Sequence, residues 1–110
     1  IDIDINTKPY VDVVNKYNKT NVDVLYMDYK ELPREVFKRI DLIIGCDICY
    51  WEQHVGNIKK LINKARCPVL IADPGRDTFW ELTESVKGNL HEIVLKKPRA
   101  VRGYVYEILP

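Results

Sequence analysis

Two runs of this chain, Leu42-Ile43-Ile44 and Val69-Leu70-Ile71-Ala72, are apolar without alternation. A strand reads this way when both of its faces are buried, as in a parallel sheet with helices on each side. Between the two runs, Val55, Ile58, Leu61, Ile62 and Ala65 recur at helical spacing, the stripe of an amphipathic helix. Strand, helix and strand in that order predict a parallel pair, and the rest of the chain has to fit around it.

Upstream, Ile1, Ile3 and Ile5 alternate with Asp2 and Asp4, a short strand with an acidic tip. Asn6 or Thr7 can cap a helix with Pro9 in its first turn, and Tyr10, Val13, Val14 and Tyr17 give that helix one apolar face. The segment from Asn18 to Asn21 ends it. Val22 to Met27 reads as a second strand closing at Asp28, and Leu32-Pro33 opens a short helical segment through Arg39. The third strand is Asp41 to Gly45, and the fourth, Val69 to Ala72, is broken by Asp73-Pro74-Gly75. Phe79, Leu82, Thr83 and Val86 predict a further helix closed by Gly88-Asn89. Leu90 to Leu95 and Val101 to Leu109 are joined by Lys96-Lys97-Pro98-Arg99-Ala100, too short for a crossover helix, so they should form an antiparallel hairpin. The predicted class is α/β, a mostly parallel Rossmann-like sheet ending in that hairpin, in one domain over residues 1–110.

Composition narrows the function classes. With 17 basic and 16 acidic residues, no global field favours nucleic acid or a membrane surface. The apolar runs are far too short to span a bilayer. Three cysteines, an odd number without a secretory signal, point to free thiols and a cytoplasmic setting. Cys46 and Cys49 spell C-x-x-C, but Cys67, His54 and His91 supply no second pair at a ligand spacing, so no metal site is expected. A redox pair would need the motif in the first turn of a helix, and here the helix starts later. In parallel sheets ligands bind at the carboxyl ends of the strands. Those ends carry Asp4, Asp28, Gly45-Cys46-Asp47 and Asp73-Pro74-Gly75-Arg76.

In this order and spacing the acidic tips resemble those of the class I S-adenosylmethionine-dependent methyltransferases. "DIDIN", "MDYKELP", "IDLIIGCDICY" and "VLIADPGR" resemble the ends of that fold's second to fifth strands, and the closing hairpin resembles its sixth and seventh. The D-x-x-Y of Asp47 and Tyr50, with "ADPGR" after the next strand, resembles the protein-lysine methyltransferase-like family that includes the electron-transfer-flavoprotein β-subunit lysine methyltransferase. The N-P-P-Y motif of adenine-N6 methyltransferases is absent, which argues against nucleic-acid substrates.

The resemblance implies that Asp4, or alternatively Asp2, holds the cofactor ribose hydroxyls. It likewise implies that Asp28 accepts from the adenine amino group with Tyr29 beside the ring, and that Gly45 and Cys46 line the methionine end. Asp47 and Tyr50 would be the catalytic pair facing an incoming amine, with Trp51 and Arg76 on the substrate side. The residues alone leave Asp28 open as a turn residue, Asp47 and Tyr50 as a cap and packing for the next helix, and Pro74-Gly75-Arg76 as a sharp turn with Asp73 and Arg76 exposed. The implied function is N-methylation of a protein lysine. A small-molecule methyltransferase, or a non-catalytic α/β interaction module, are the alternatives. The family's first strand and G-x-G-x-G loop have no counterpart here. In the family's order, 3-2-1-4-5-7-6, that strand is central, so the chain is expected to be N-terminally truncated, to bind cofactor poorly alone, and to self-associate through orphaned strand edges.

Overall fold

The computed structural model describes all 110 residues and is mixed α/β, falling into two compact units, Ile1–Pro33 and Arg34–Pro110. The larger unit holds one open sheet of four strands: β1 (Ile43–Cys46), β2 (Val69–Asp73), β3 (Asn89–Leu95) and β4 (Val101–Ile108), in the order β1-β2-β4-β3. β1 and β2 are parallel, with Ile43 opposite Val69 and Cys46 opposite Ala72. β4 runs antiparallel to both β2 and β3, so the expected hairpin forms and its second strand lies inside the sheet.

Helix α2 (Glu52–Lys64) joins β1 to β2, and α3 (Asp77–Ser85) follows β2. Val55 and Ile58 of α2 and Phe79 and Leu82 of α3 are buried with Val69 and Ile71 of β2 and Tyr106 and Ile108 of β4. These residues form one apolar layer between the helices and a single sheet face. The Tyr106 hydroxyl donates to the Val86 carbonyl at 2.5 Å, satisfying a polar atom at the edge of that layer.

The other sheet face differs from the sequence expectation. Within this unit Ile44 is 62% exposed and every residue of β3 is exposed. An unbroken apolar run was expected to have a helix on both sides. Burial along β2 nonetheless alternates, because only Val69, Ile71 and Asp73 point into the helix-covered layer. The expected helical segment from Leu32 shrinks to a 3-10 turn at Val36–Lys38, anchored by buried Phe37.

In the smaller unit the two expected strands reduce to one parallel bridge between Asp2 and Tyr26. The Asp2 amide donates to the Leu25 carbonyl at 3.1 Å and the Met27 amide to the Asp2 carbonyl at 2.9 Å. Ladder pairing stops there because Asp4 turns the chain into a 3-10 turn, Ile5–Thr7, that its side chain caps. Helix α1 (Lys8–Asn18) follows, with Pro9 in its first turn as expected, and ends at left-handed Lys19. Thr7 occupies the N-cap without a capping side-chain bond; its hydroxyl donates to the Asp4 carbonyl at 2.8 Å instead. No helix in the chain is long and apolar enough to cross a membrane.

Candidate functional site

Because β1 and β2 are parallel neighbours, the turns that leave them start side by side. The Asp47 amide donates to the Ala72 carbonyl at 2.8 Å, extending the ladder by one bond before the chain breaks away. Asp47 makes that break in the left-handed region, at φ 59°, where aspartate is among the few side chains that sit at low cost. On β2 the corresponding break comes at Gly75, at φ 104°. A Cβ there would also lie 2.8 Å from the Tyr104 ring, so the position suits glycine on both counts.

The two turns converge on one guanidinium. Asp73 is 4% exposed, and its Oδ1 accepts the Gly75 and Arg76 amides, each at 2.9 Å. Its Oδ2 accepts from an Arg76 terminal nitrogen at 2.8 Å. The same nitrogen lies 2.5 Å from Asp47 Oδ1. Tyr50 donates its hydroxyl to Asp47 Oδ2 at 2.8 Å, and its ring lies 4.2 Å below the Arg76 Cζ. The Trp80 indole nitrogen donates to the Gly75 carbonyl at 3.1 Å, and its ring meets Tyr104 edge-on, bracing the turn. Thr78 Oγ1 donates to the Cys49 carbonyl, tying the start of α3 to the turn before α2.

Charge in this cluster is polarised accordingly. The Arg76 hydrogen bond, then that of Tyr50, holds the Asp47 carboxyl below the usual range. The Asp47 hydrogen bond pushes the Tyr50 phenol up and the Arg76 guanidinium up. At neutral pH the three are therefore a carboxylate, a phenol and a cation. A carboxylate so stabilised is a weak base and a good electrostatic partner. Asp47 remains 52% exposed at its side chain, open to a ligand. On the Tyr50 and Arg76 side of the cluster a groove of about 650 Å³ is lined by Tyr50, Trp51, Glu52, Arg76, Asp77 and Thr78, among others.

Asp47, Tyr50 and Arg76 are thus brought into direct contact, and Trp51 stands exposed on the same groove. Neither Asp47 nor Tyr50 caps α2, whose N-cap is Trp51 without a side-chain bond. Cys46 is exposed at the strand end, whereas Cys49 is fully buried and burial pushes its thiol up to about 11. The C-x-x-C pair is therefore split between surface and core. Gly45 leaves no open cradle, because Ile48 and Ile71 fill the space where its side chain would be.

Asp2, Asp4, Asp28 and Tyr29 belong to the smaller unit. The Asp2–Tyr26 bridge sets Asp4 and Asp28 in step, each two residues beyond a bridged one. Both cap 3-10 turns: Asp4 accepts the Asn6 amide at 2.9 Å and Asp28 the Lys30 amide at 3.0 Å. Asp28 also pairs with the Lys30 ammonium at 2.8 Å, which raises the Lys30 pKa. The Asp2 carboxylate accepts the Asp4 amide at 2.9 Å, and that bond lowers its pKa. Tyr29 opens the turn after Asp28 and is half-buried.

Sequence reasoning placed Asp73 among the acidic strand ends but did not assign it to the site. Part of the signal was there: an aspartate ending an apolar run and followed by Pro-Gly is placed to accept the next amides, although the local pattern does not say that it is buried. Comparison with protein-family models, with curated proteins and with solved structures returns no match.

Proposed function

We propose that the chain carries the acceptor side of an S-adenosylmethionine-dependent methyltransferase acting on a protein lysine. The observation that supports this most is the fixed Asp47 carboxylate beside the Tyr50 ring at the carboxyl ends of two parallel strands. A carboxylate paired with an aromatic face is a receptor for an alkylammonium. The strand order β1-β2-β4-β3 agrees with the last four strands of the 3-2-1-4-5-7-6 arrangement.

Of the residues proposed for the cofactor, Asp4 and Asp28 suit it in acceptor type, whereas Gly45 offers no open cradle. Asp4 and Asp28 each spend oxygen lone pairs on a turn, yet a carboxylate has about four acceptor sites and retains some for hydroxyl or amino donors. The bound cofactor would supply the electrophilic methyl group. Asp47 would hold the acceptor nitrogen and Tyr50 and Trp51 would flank its stem, so the protein contributes alignment and exclusion of water. Asp47 orients the amine and leaves deprotonation to solvent, since its depressed pKa makes it a poor proton acceptor.

Transfer of labelled methyl from S-adenosylmethionine to lysine side chains of an acceptor protein tests the reading. Asp47→Asn should lower that transfer by about a hundredfold or more, the scale of a lost transition-state contact. Undiminished transfer would reduce Asp47 to a structural residue. A non-catalytic interaction module is the second reading, favoured by the exposed apolar face around Ile44. Absence of any cofactor binding by calorimetry would move the balance to it.

A further inference from the structure

We propose that Arg76 is a resident stand-in for the acceptor: its guanidinium occupies the cation seat formed by the Asp47 carboxylate and the Tyr50 ring, and an alkylammonium enters by displacing it toward Asp73. The inference rests on reading Asp47 and Tyr50 as an ammonium receptor.

A cation already fills both halves of that receptor. The guanidinium nitrogen is 2.5 Å from Asp47 Oδ1, and its carbon stands 4.2 Å over the Tyr50 ring. These are the two contacts a lysine ammonium would make. Arg76 also has somewhere to go. Its second carboxylate, Asp73, is buried and held by two backbone amides, whereas Asp47 is about half exposed. The exposed contact is the shorter, yet it is the one that water, salt and a competing cation can reach. Displacement therefore breaks the Asp47 contact and keeps the Asp73 contact.

The groove beside the seat selects for the same chemistry. Glu52 and Asp77 line it together with Tyr50, Trp51 and Arg76, so acidic groups and aromatic faces border the Tyr50 and Arg76 side of the seat. That lining suits a cation on an aliphatic stem and repels an anion. A bare cation gains little by replacing one that is already seated. A ligand whose stem also packs on Trp51 gains more, so the resident arginine raises selectivity for a lysine-like side chain.

If the Arg76–Asp47 contact is formed about nine-tenths of the time, it lowers apparent affinity for a competing cation about tenfold. Calorimetric titration with n-butylammonium reads this without cofactor or turnover. Arg76→Gln should bind n-butylammonium about tenfold more tightly than the unaltered protein, and adding Asp47→Asn should abolish the gain. Equal or weaker binding by Arg76→Gln would overturn the proposal, as would acetate binding that depends on Arg76, which would mark an anion site. Should Arg76→Gln fail to fold, the unaltered protein still decides the question by nuclear magnetic resonance. At high n-butylammonium the Arg76 side-chain and Tyr50 ring signals should shift together. Movement of Tyr50 alone, or of neither, overturns displacement. Failure to bind S-adenosylmethionine would sink methyl transfer and leave this result standing, so the two readings fail separately.

Discussion

Asp73 and Asp47 share one guanidinium and sit in opposite surroundings, so equivalent substitutions should have unequal effects. Asp73→Ala strips the acceptor from the Gly75 and Arg76 amides inside the fold. Unsatisfied buried donors predict a loss of about 2–3 kcal/mol in urea unfolding at unchanged m. Asp47→Asn keeps a side chain that tolerates left-handed backbone and removes only an exposed ion pair, so it should cost less than about 1 kcal/mol. Equal midpoints for the two variants would contradict the assignment of Asp73 as anchor. The cysteines give a second contrast. A thiol reagent at pH 8 should label exposed Cys46 at once and reach buried Cys49 and Cys67 only on unfolding. Cys49 titrates near 11 when folded against 9.0 unperturbed, so its unfolded form releases the proton first. Its contribution is intact below pH 9 and is lost as pH rises toward 11, and Cys49→Ser should flatten that alkaline decline. The partnership of Asp47 with Tyr50 was legible from sequence, because three-residue spacing at a strand end keeps both at one edge. Asp73 was not, because burial of a turn carboxylate depends on helix α3 and strand β4, which local pattern does not place.

The strands that survived from sequence to structure are those with a partner strand along their length, including β3, which pairs with β4 although none of its residues is buried. β2 has α2 and α3 behind it, and both β1 and β2 have hydrogen-bonded neighbours. Ile1 to Ile5 and Val22 to Met27 carry similar apolar patterns, yet their large side chains are mostly exposed and pairing is limited to one bridge. Two short strands without a covered face are marginal, and a capping aspartate is enough to divert one of them. Periodicity reports which side chains could be buried, and the neighbours decide whether they are. The turn between β2 and α3 shows the converse, a short element specified by its own residues. Gly75→Ala would force a Cβ into left-handed backbone and against Tyr104, where Trp80 packs from the other side. It should cost about 1–3 kcal/mol and shift the near-ultraviolet signal of Trp80, whereas Gly56→Ala, with open space around it in α2, should stabilise by up to about 1 kcal/mol. A neutral Gly75→Ala would mean that the turn relaxes and does not hold Arg76 rigidly.

At the scale of the whole chain, apolar surface is distributed unevenly between the two units. Arg34–Pro110 encloses a layer of fully buried side chains, including Phe79, Ile58, Ile71 and Leu82. Ile1–Pro33 buries Leu32, and α1 contributes no buried residue although Tyr10, Val13, Val14 and Tyr17 line one of its faces. A helix of 11 residues has little stability of its own, since isolated helices below about 12–15 residues are marginal in water. Its backbone bonds should therefore open far more readily than those of β2 and β4, which open only with the core. Hydrogen exchange should find α1 amides exchanging at least about a hundredfold faster than those of Val69 to Asp73, a gap of roughly 3 kcal/mol in opening free energy. Protection of α1 equal to that of β2 would show that its apolar face is covered in solution. Repeating the exchange across a range of protein concentrations then identifies the cover: protection that grows with concentration means a second copy, and constant protection means the chain's own surface.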